Sequence, residues 1–380
     1  MSVFDLLIDQ DQVVSVLNGA ASAARDGKDS SQVMTHAWLF TGPPGSGRSN
    51  AALAFAAALV CEKGGCGQCN NCKSALAGTH GDVEVIRTEG LSIKIDEIRD
   101  LITRAAWSPS VGEYRVVVIE DADRLTESAA NALLKAIEEP GAHTVWLLCA
   151  PTATDVLPTI RSRVRSLVLR TPSIESVAKL LTKEGVSQTM AEFAARAAGG
   201  HVGRARYLAN SPEARSRRES ILKLALSIRD IATAFRAAGQ LVDAAKNEAE
   251  EVAEKRDEQE LHALKEAWGQ TGSRLVQGGS KAVKELEKEQ KSRATRMVRD
   301  YLDQALLDIV TLFRDILLVQ SGKSEGLVNS DLTEDINRVA TSTTSEATLT
   351  KIEAVMKART NLSHNAAPLL TVEAMMVQLK

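Results

Sequence analysis

The chain has 380 residues and a formal net charge of −3, with 44% hydrophobic, 25% charged and only 3% aromatic residues. This length gives room for two or three domains, and the near-neutral charge argues against a chain that binds polyanions along its whole surface. No apolar run reaches the roughly 18–20 residues that cross a bilayer, and the N-terminus, MSVFDLLIDQDQ, is acidic where a signal peptide is basic. We therefore expect a cytoplasmic protein with no membrane partner.

Strand and helix patterns alternate along the first 170 residues. Apolar and β-branched runs predict strands at Ala37–Phe40, Asp82–Ile86, Tyr114–Ile119, Thr144–Ala150 and Val164–Leu169. Helical spacing between them predicts helices at Ser49–Val60, Ile93–Ala106, Glu127–Glu138 and Val156–Arg161. This alternation is typical of an α/β domain, so residues 1–170 are predicted to form three layers around a parallel sheet.

The rest of the chain is predicted to be helical, in two parts. Short helices are expected over 171–210, at Glu175–Lys183, Met190–Ala198 and Gly203–Ala209. The all-helical part covers 211–380, with a flexible interruption at 269–279 and one long helix at 281–319. An apolar stripe on that helix should bury against other helices, at Leu302, Leu306, Ile309, Phe313 and Ile316.

A phosphate-binding P-loop is indicated by TGPPGSGRSN at 41–50. It has the spacing G-x-x-x-x-G-K-[ST], except that Arg48 stands where the lysine belongs. In a working loop, backbone N–H groups surround the phosphates, the lysine reaches the outer phosphates and the hydroxyl holds Mg²⁺. The candidate nucleotide-site residues here are Gly42, Pro43, Gly45, Gly47, Arg48 and Ser49.

An acidic pair, Glu120–Asp121, ends the third predicted strand. In an ATPase the first acid at this place supports Mg²⁺ and the second polarises water. Two solvated acids at a strand end are the structural alternative, and the upstream P-loop favours the site interpretation. Glu120 and Asp121 therefore join the candidate nucleotide site.

Four cysteines fall close together, at Cys61, Cys66, Cys69 and Cys72, while Cys149 lies alone in a predicted strand. Four thiolates at this spacing can surround one tetrahedral Zn²⁺. A C-x4-C-x2-C run also opens plant-type iron–sulfur motifs, but their fourth cysteine is distant and here it is adjacent. We expect a structural zinc site, with an iron–sulfur cluster or free thiols as alternatives.

Taken together, these features resemble the AAA+ clamp-loader family. The matching segments are HAWLFTGPPGSGRS at 36–49, the four-cysteine insertion, AGTHGDVEVI at 77–86, ESAANALLKAIEEP at 127–140 and LPTIRSRV at 157–164. The resemblance covers roughly residues 1–210. It implies an α/β P-loop (AAA+) ATPase-like domain over 1–170 with a zinc-binding insertion at 61–72, a helical lid over 171–210, and an all-α collar over 211–380 through which five subunits form a ring.

The resemblance also assigns a role to an arginine at the domain rim. Ser162 and Arg163 match the family's Ser-Arg-Cys motif, with Val164 in place of the cysteine. The resemblance implies that Arg163, next to Ser162, points into the ATP site of an adjacent motor subunit as an arginine finger in trans. Without the family context such an arginine is usually a surface residue.

Three departures from the family pattern predict a chain that does not hydrolyse ATP. Arg48 replaces the lysine with a longer, planar guanidinium, and Glu120–Asp121 exchanges the Asp-Glu order of hydrolysing members. Glu120 adds a methylene that an octahedral Mg²⁺ site tolerates poorly. Gly203 stands at the position of the sensor arginine, with Arg204 one place off.

The resemblance therefore implies a stator of the replicative clamp loader. Its partners would be the motor and clamp-opening subunits and, through the complex, the sliding clamp and primed DNA. ATP binding by this chain is expected to be weak or absent. The alternatives are an ATP-hydrolysing motor subunit and a zinc-dependent nucleic-acid-binding module.

Overall fold

The computed structural model describes residues 2–26, 33–88, 90–141, 143–267, 270–271, 274–275, 279–323 and 326–380. The chain divides into two compact units, residues 1–206 and residues 207–380. The finer subdivision at residues 170 and 210 stays a prediction.

A five-stranded parallel sheet forms the centre of the first unit. Its strands stand in the order β2-β3-β4-β1-β5. They are β1 (Ala37–Thr41), β2 (Val83–Ile86), β3 (Arg115–Ile119), β4 (Thr144–Ala150) and β5 (Arg165–Val168). Every residue of β1, β3 and β4 is buried, as expected for apolar strands covered on both faces. The five predicted strands are confirmed, each to within one residue at either end.

Helices cover both faces of this sheet. They are α1 (Asp11–Asp26), α2 (Arg48–Leu59), α3 (Asn70–Leu76), α4 (Ile95–Ala105), α5 (Glu127–Glu138) and α6 (Pro158–Arg161), and short 3₁₀ turns lie at Val3–Leu6, Ala122–Arg124 and Ala153–Asp155. After β5 the chain continues in α7 (Ile174–Lys183), α8 (Gln188–Ala197) and α9 (Val202–Asn210). Alternate residues of β1 enter two separate cores: Trp38 and Phe40 pack with α1 and α2, and Leu39 packs with α4 and α5. The predicted three-layer α/β arrangement is therefore confirmed.

The second unit is built almost entirely from helices. They are α10 (Pro212–Leu226), α11 (Ile231–Ala267), α12 (Gly279–Gln320), α13 (Thr333–Ser342), α14 (Ser345–Ser363) and α15 (Pro368–Gln378), with a 3₁₀ turn at Ser330–Leu332. All five residues of the predicted apolar stripe on α12 are buried in one core with α11, α14 and α15. Two short strands, β6 (Gln270–Thr271) and β7 (Arg274–Leu275), pair between α11 and α12, where only helix or flexible chain was predicted. The rest of the predicted interruption at 269–279 lies mostly outside the described residues.

A buried polar network also ties this unit together. Arg218 on α10 donates from Nε to Asp308 Oδ1 at 2.8 Å and from Nη2 to Asn329 Oδ1 at 2.5 Å. Asn329 in turn donates its N–H and its Nδ2 to Asp315 Oδ2, at 2.7 and 2.8 Å. These four side chains are almost fully buried, so they depend on hydrogen bonds within the protein, to one another and to Thr311 and Arg314.

No helix among the described residues is both long and apolar enough to cross a membrane.

Candidate functional site

The P-loop leaves the carboxyl end of β1, which lies inside the sheet between β4 and β5. The loop turns through Gly45 and Gly47, whose φ angles of 86° and 88° lie in the left-handed region that favours glycine. Gly47 then forms the N-cap of α2. At position 45 space also requires glycine, because a Cβ would lie 2.6 Å from the His201 ring. The strand–loop–helix geometry that the P-loop motif requires is therefore present.

Arg48 turns its charge back onto the loop. Its Nη1 donates a hydrogen bond to the carbonyl oxygen of Gly42, the first glycine of the motif. In a working P-loop the corresponding cation reaches the outer phosphates of the ligand. Here the cation is held by a main-chain acceptor of the same loop.

A cavity of about 480 Å³ lies beside the loop, which is within the usual size range of small-molecule sites. Pro43, Gly45, Gly47, Arg48 and Ser49 line one wall, so five of the six loop residues predicted from the sequence meet at this cavity. The other walls come from residues 5–8 near the N-terminus and from α7, α9 and the segments before them, through Pro172, Leu180, His201, Val202, Gly203 and Arg206.

The two predicted acids do not line this cavity. Glu120 forms an ion pair with Arg87, its Oε1 lying 2.9 Å from the arginine Nε. Asp121 is the N-cap of the Ala122–Arg124 turn. A third acid, Asp123, was missed by sequence reasoning: burial and the neighbouring charge of Asp121 raise its pKa, while Arg124 and Arg48 act in the opposite direction.

The region after α8 contributes two cavity residues that the sequence did not single out. The His201 ring packs on Gly45, and burial together with the charges of Arg204 and Arg48 lowers its pKa. Arg206 lies one helical turn beyond Gly203 on α9, and its guanidinium contacts Glu184 at 2.5–3.1 Å.

Arg163 lies directly after α6 on the surface of the unit, with 42% of its side chain exposed. Its Nε donates to Glu138 on α5, and its Nη1 donates to the Thr159 carbonyl at 2.9 Å and to Ser162 Oγ at 3.1 Å. Ser162 Oγ donates to the same Thr159 carbonyl at 3.0 Å. The predicted pair Ser162–Arg163 is thus adjacent and exposed, and neither residue lines the P-loop cavity.

The four clustered cysteines meet between α2 and α3. Their Sγ atoms all lie within 4.8 Å of one another, and Cys61 Sγ is 3.8 Å from Cys66 Sγ and 3.7 Å from Cys69 Sγ. A tetrahedral zinc ion with Zn–S bonds of about 2.3 Å needs sulfurs ~3.8 Å apart. Backbone N–H groups of Gln68 and Cys69 lower the pKa of Cys66 to about 6, whereas burial raises the pKa of Cys72. The sulfur positions fit a four-thiolate metal site.

The sequence resembles known replication proteins over most of its length. A family model described as "DNA polymerase III, delta subunit" matches residues 23–173, and one described as "DNA polymerase III, delta subunit, C terminal" matches residues 295–379. The chain is 27% identical to the DNA polymerase III subunit delta-prime of Bacillus subtilis over 335 residues, which is 87% of either chain.

Two further relatives match over a smaller share of the chain. The delta-prime subunit of Pseudomonas aeruginosa is 38% identical over 159 residues, covering 39% of this chain and 48% of that protein. The DNA polymerase III subunit gamma/tau of Mycobacterium tuberculosis H37Rv is 33% identical over 172 residues, covering 44% of this chain and 28% of that protein. Both family models and the near full-length relative agree: over most of its length this chain, a parallel α/β unit followed by a helical unit, is similar to the delta and delta-prime subunits of DNA polymerase III.

Proposed function

We propose that this chain is the non-hydrolysing stator of the replicative clamp loader, acting in the cytoplasm to help load the sliding clamp onto primed DNA. The proposal is supported by the similarity to DNA polymerase III delta and delta-prime subunits, together with the altered nucleotide site. The partners would be the motor and clamp-opening subunits of a five-membered ring, with clamp and DNA engaged through the complex. The helical second unit would supply the collar contacts of that ring.

The bond from Arg48 to the Gly42 carbonyl carries the non-hydrolysing part of the proposal. A cation held by its own loop does not stabilise charge on a transferred phosphoryl group, and that stabilisation is most of what a P-loop ATPase supplies. The Glu120–Arg87 pair supports the same conclusion, since a carboxylate engaged there is turned to an arginine rather than to a Mg²⁺ ion. Because the cavity is still present, this chain could at most bind a nucleotide weakly, without hydrolysing it.

Arg163 would supply this chain's chemical contribution, as an arginine finger in a neighbour's ATP site. Its exposed side chain supports this role, and Arg163 is not among the residues that line its own cavity. A guanidinium entering from a neighbouring subunit stabilises the charge of the phosphoryl-transfer transition state. Ser162, hydrogen-bonded to both the Arg163 guanidinium and the Thr159 carbonyl, would orient that guanidinium.

The cysteine cluster would hold one structural Zn²⁺ through Cys61, Cys66, Cys69 and Cys72. Four thiolates leave the ion no open position, so it would serve folding rather than catalysis. A nucleic-acid-binding role for this segment is disfavoured, because residues 61–73 contain only two lysines, Lys63 and Lys73, and no aromatic side chain on which a base could stack.

A comparison of three proteins tests the proposal: the wild-type chain, Arg48→Lys and Arg48→Ala. ATP hydrolysis by the purified chain and binding of a fluorescent ATP analogue are measured side by side. We expect no hydrolysis above buffer for wild type and tighter analogue binding for Arg48→Lys, whose ammonium can reach a phosphate. Robust wild-type turnover that Arg48→Ala abolishes would instead establish an active motor subunit.

A further inference from the structure

Residues 2–10, which we call the N-terminal strap, run from the cysteine cluster to the helices beyond residue 172. Their middle part, residues 5–8, lines the P-loop cavity. The strap is thus a cavity wall that belongs neither to the P-loop nor to the sheet. Its position depends on the hydrogen bonds that hold its two ends.

The first end of the strap is hydrogen-bonded to the turn that carries the cysteine cluster. The Gly65 carbonyl accepts hydrogen bonds from the Val3 N–H at 3.0 Å and from Ser2 Oγ at 3.3 Å. A Cβ on Gly65 would lie 2.7 Å from Val3 Cγ2, so strap and cluster are in close contact. Val3 and Phe4 are buried in the same core as Cys61 and Cys72.

The second end of the strap is hydrogen-bonded to the start of α7 and contacts the P-loop. Asp9 accepts from the Ser173 N–H and from Ser176 Oγ, each at 2.7 Å. Gln10, 4% exposed, donates to the Arg170 carbonyl at 2.6 Å and accepts from the Arg170 N–H at 3.3 Å. Its Nε2 also lies 3.5 Å from the Ser46 carbonyl of the P-loop. One buried amide therefore joins the strap, the P-loop and residue 170.

The hydrogen bonds at the first end of the strap depend on a turn that lies between two of the cysteines. Gly65 lies between Cys61 and Cys66, and the turn has positive φ angles at Gly64, Gly65 and Gly67. Glycines lose more conformational freedom on ordering than other residues, so such a turn needs external constraints. A metal ion on both flanking thiolates would supply them and so fix the carbonyl that holds Val3.

We propose that metal binding at the cysteine cluster sets the position of the N-terminal strap and thereby completes the wall of the P-loop cavity. The inference rests on the zinc assignment proposed above. A metal site at one end of the strap would thus regulate the cavity that the middle of the strap lines. The Val3–Gly65 hydrogen bond is the link through which the two are coupled.

Amide hydrogen exchange on the full chain tests this coupling in three samples: the zinc-loaded wild type, the chelator-treated wild type and zinc-loaded Val3→Pro. Val3 is the first residue of a 3₁₀ turn and Ser2 before it is extended, so proline fits the backbone while its missing N–H removes the Val3–Gly65 hydrogen bond. We expect the Asp5 and Leu7 amides to exchange roughly tenfold faster after chelation, and equally fast in Val3→Pro with zinc still bound. The β3 amides should be unchanged in all three samples.

Strap amides that exchange equally slowly with and without zinc would overturn the proposal, as would a Val3→Pro strap as protected as wild type. If chelation also exposes β3, the zinc-loaded Val3→Pro sample decides alone, because its metal site is intact. Zinc content is measured in every sample. A well-folded wild type without metal refutes the zinc assignment, and the coupling with it.

Discussion

Replacing Arg218 by methionine should destabilise the second unit by about 3–5 kcal/mol, the usual cost of removing one partner from a buried ion pair. The Arg218 and Asp308 side chains are 3% and 4% exposed, so the variant leaves a carboxylate buried without its cation. It also removes the hydrogen bond to Asn329. A third, longer hydrogen bond, from Arg218 Nη2 to Thr311 Oγ1 at 3.5 Å, is lost as well. A hydrogen bond to a charged group contributes about 1.5–3 kcal/mol, so the two shorter bonds alone account for a loss of similar size.

A double variant separates the loss of the pair from the loss of one partner. Arg218→Met combined with Asp308→Leu removes both charges, and such replacement of a buried pair by apolar residues is often nearly neutral. We therefore expect the double variant to regain most of the stability that the single variant loses. Urea unfolding is followed by hydrogen exchange of the α12 core amides, residues 302–316, which report on the second unit alone.

Arg217→Met is the matched control. Arg217 pairs with Glu248 at 3.0 Å, but 41% of its side chain is exposed, and such pairs contribute about 0–1 kcal/mol. Two results would contradict this prediction. In one, Arg218→Met lowers the free energy of unfolding no more than Arg217→Met does. In the other, the double variant is as unstable as Arg218→Met alone.

Two further predictions concern the first unit. Burial tends to raise the pKa of Asp82, but N–H donors from residues 110–112 outweigh it and hold the pKa at about 2, below the ordinary 3.8. The stabilisation is therefore present above about pH 4 and lost as pH falls through 2. Asp82→Asn should lower the free energy of unfolding at pH 7 by about 2 kcal/mol, and it should flatten the decline of that free energy between pH 4 and 2. Equal acid sensitivity in both proteins would argue against this. Cys66→Ser should reduce zinc content from about one ion per chain to near zero by metal analysis, and Cys149→Ala should not; iron, or no metal in well-folded wild type, would refute the assignment.

Much of the first unit could be predicted because its signals are local. The run Arg115–Ile119 is apolar and β-branched, and glycines at 45 and 47 mark the left-handed turns of the P-loop. The cysteine spacing likewise predicted a cluster that the structure brings together. Helix α3 was missed because it begins inside this cluster, with Cys69 as its N-cap, and cysteine is not a residue that usually signals a helix start.

What could not be predicted depends on contacts between distant parts of the chain. The sequence identified Arg48 and Glu120, but the partners that hold them, the Gly42 carbonyl and Arg87, follow only from side-chain direction and from the pairing of β2 with β3. The cavity wall at residues 5–8 was likewise hidden, because nothing local indicates that this segment is fastened to Gly65 and residue 170.

The central claim is that this chain contributes chemistry through Arg163 in a neighbour's ATP site and not through its own. The direct measurement is ATP hydrolysis by the reconstituted five-subunit clamp loader, with clamp and primed DNA, carrying Arg163→Ala in this chain. Arg161→Ala, another exposed arginine two residues upstream, is the control. We predict that Arg163→Ala slows hydrolysis at the adjacent site by roughly a thousandfold while the complex still assembles, and that Arg161→Ala matches wild type. Unchanged hydrolysis in a fully assembled Arg163→Ala complex would contradict the account.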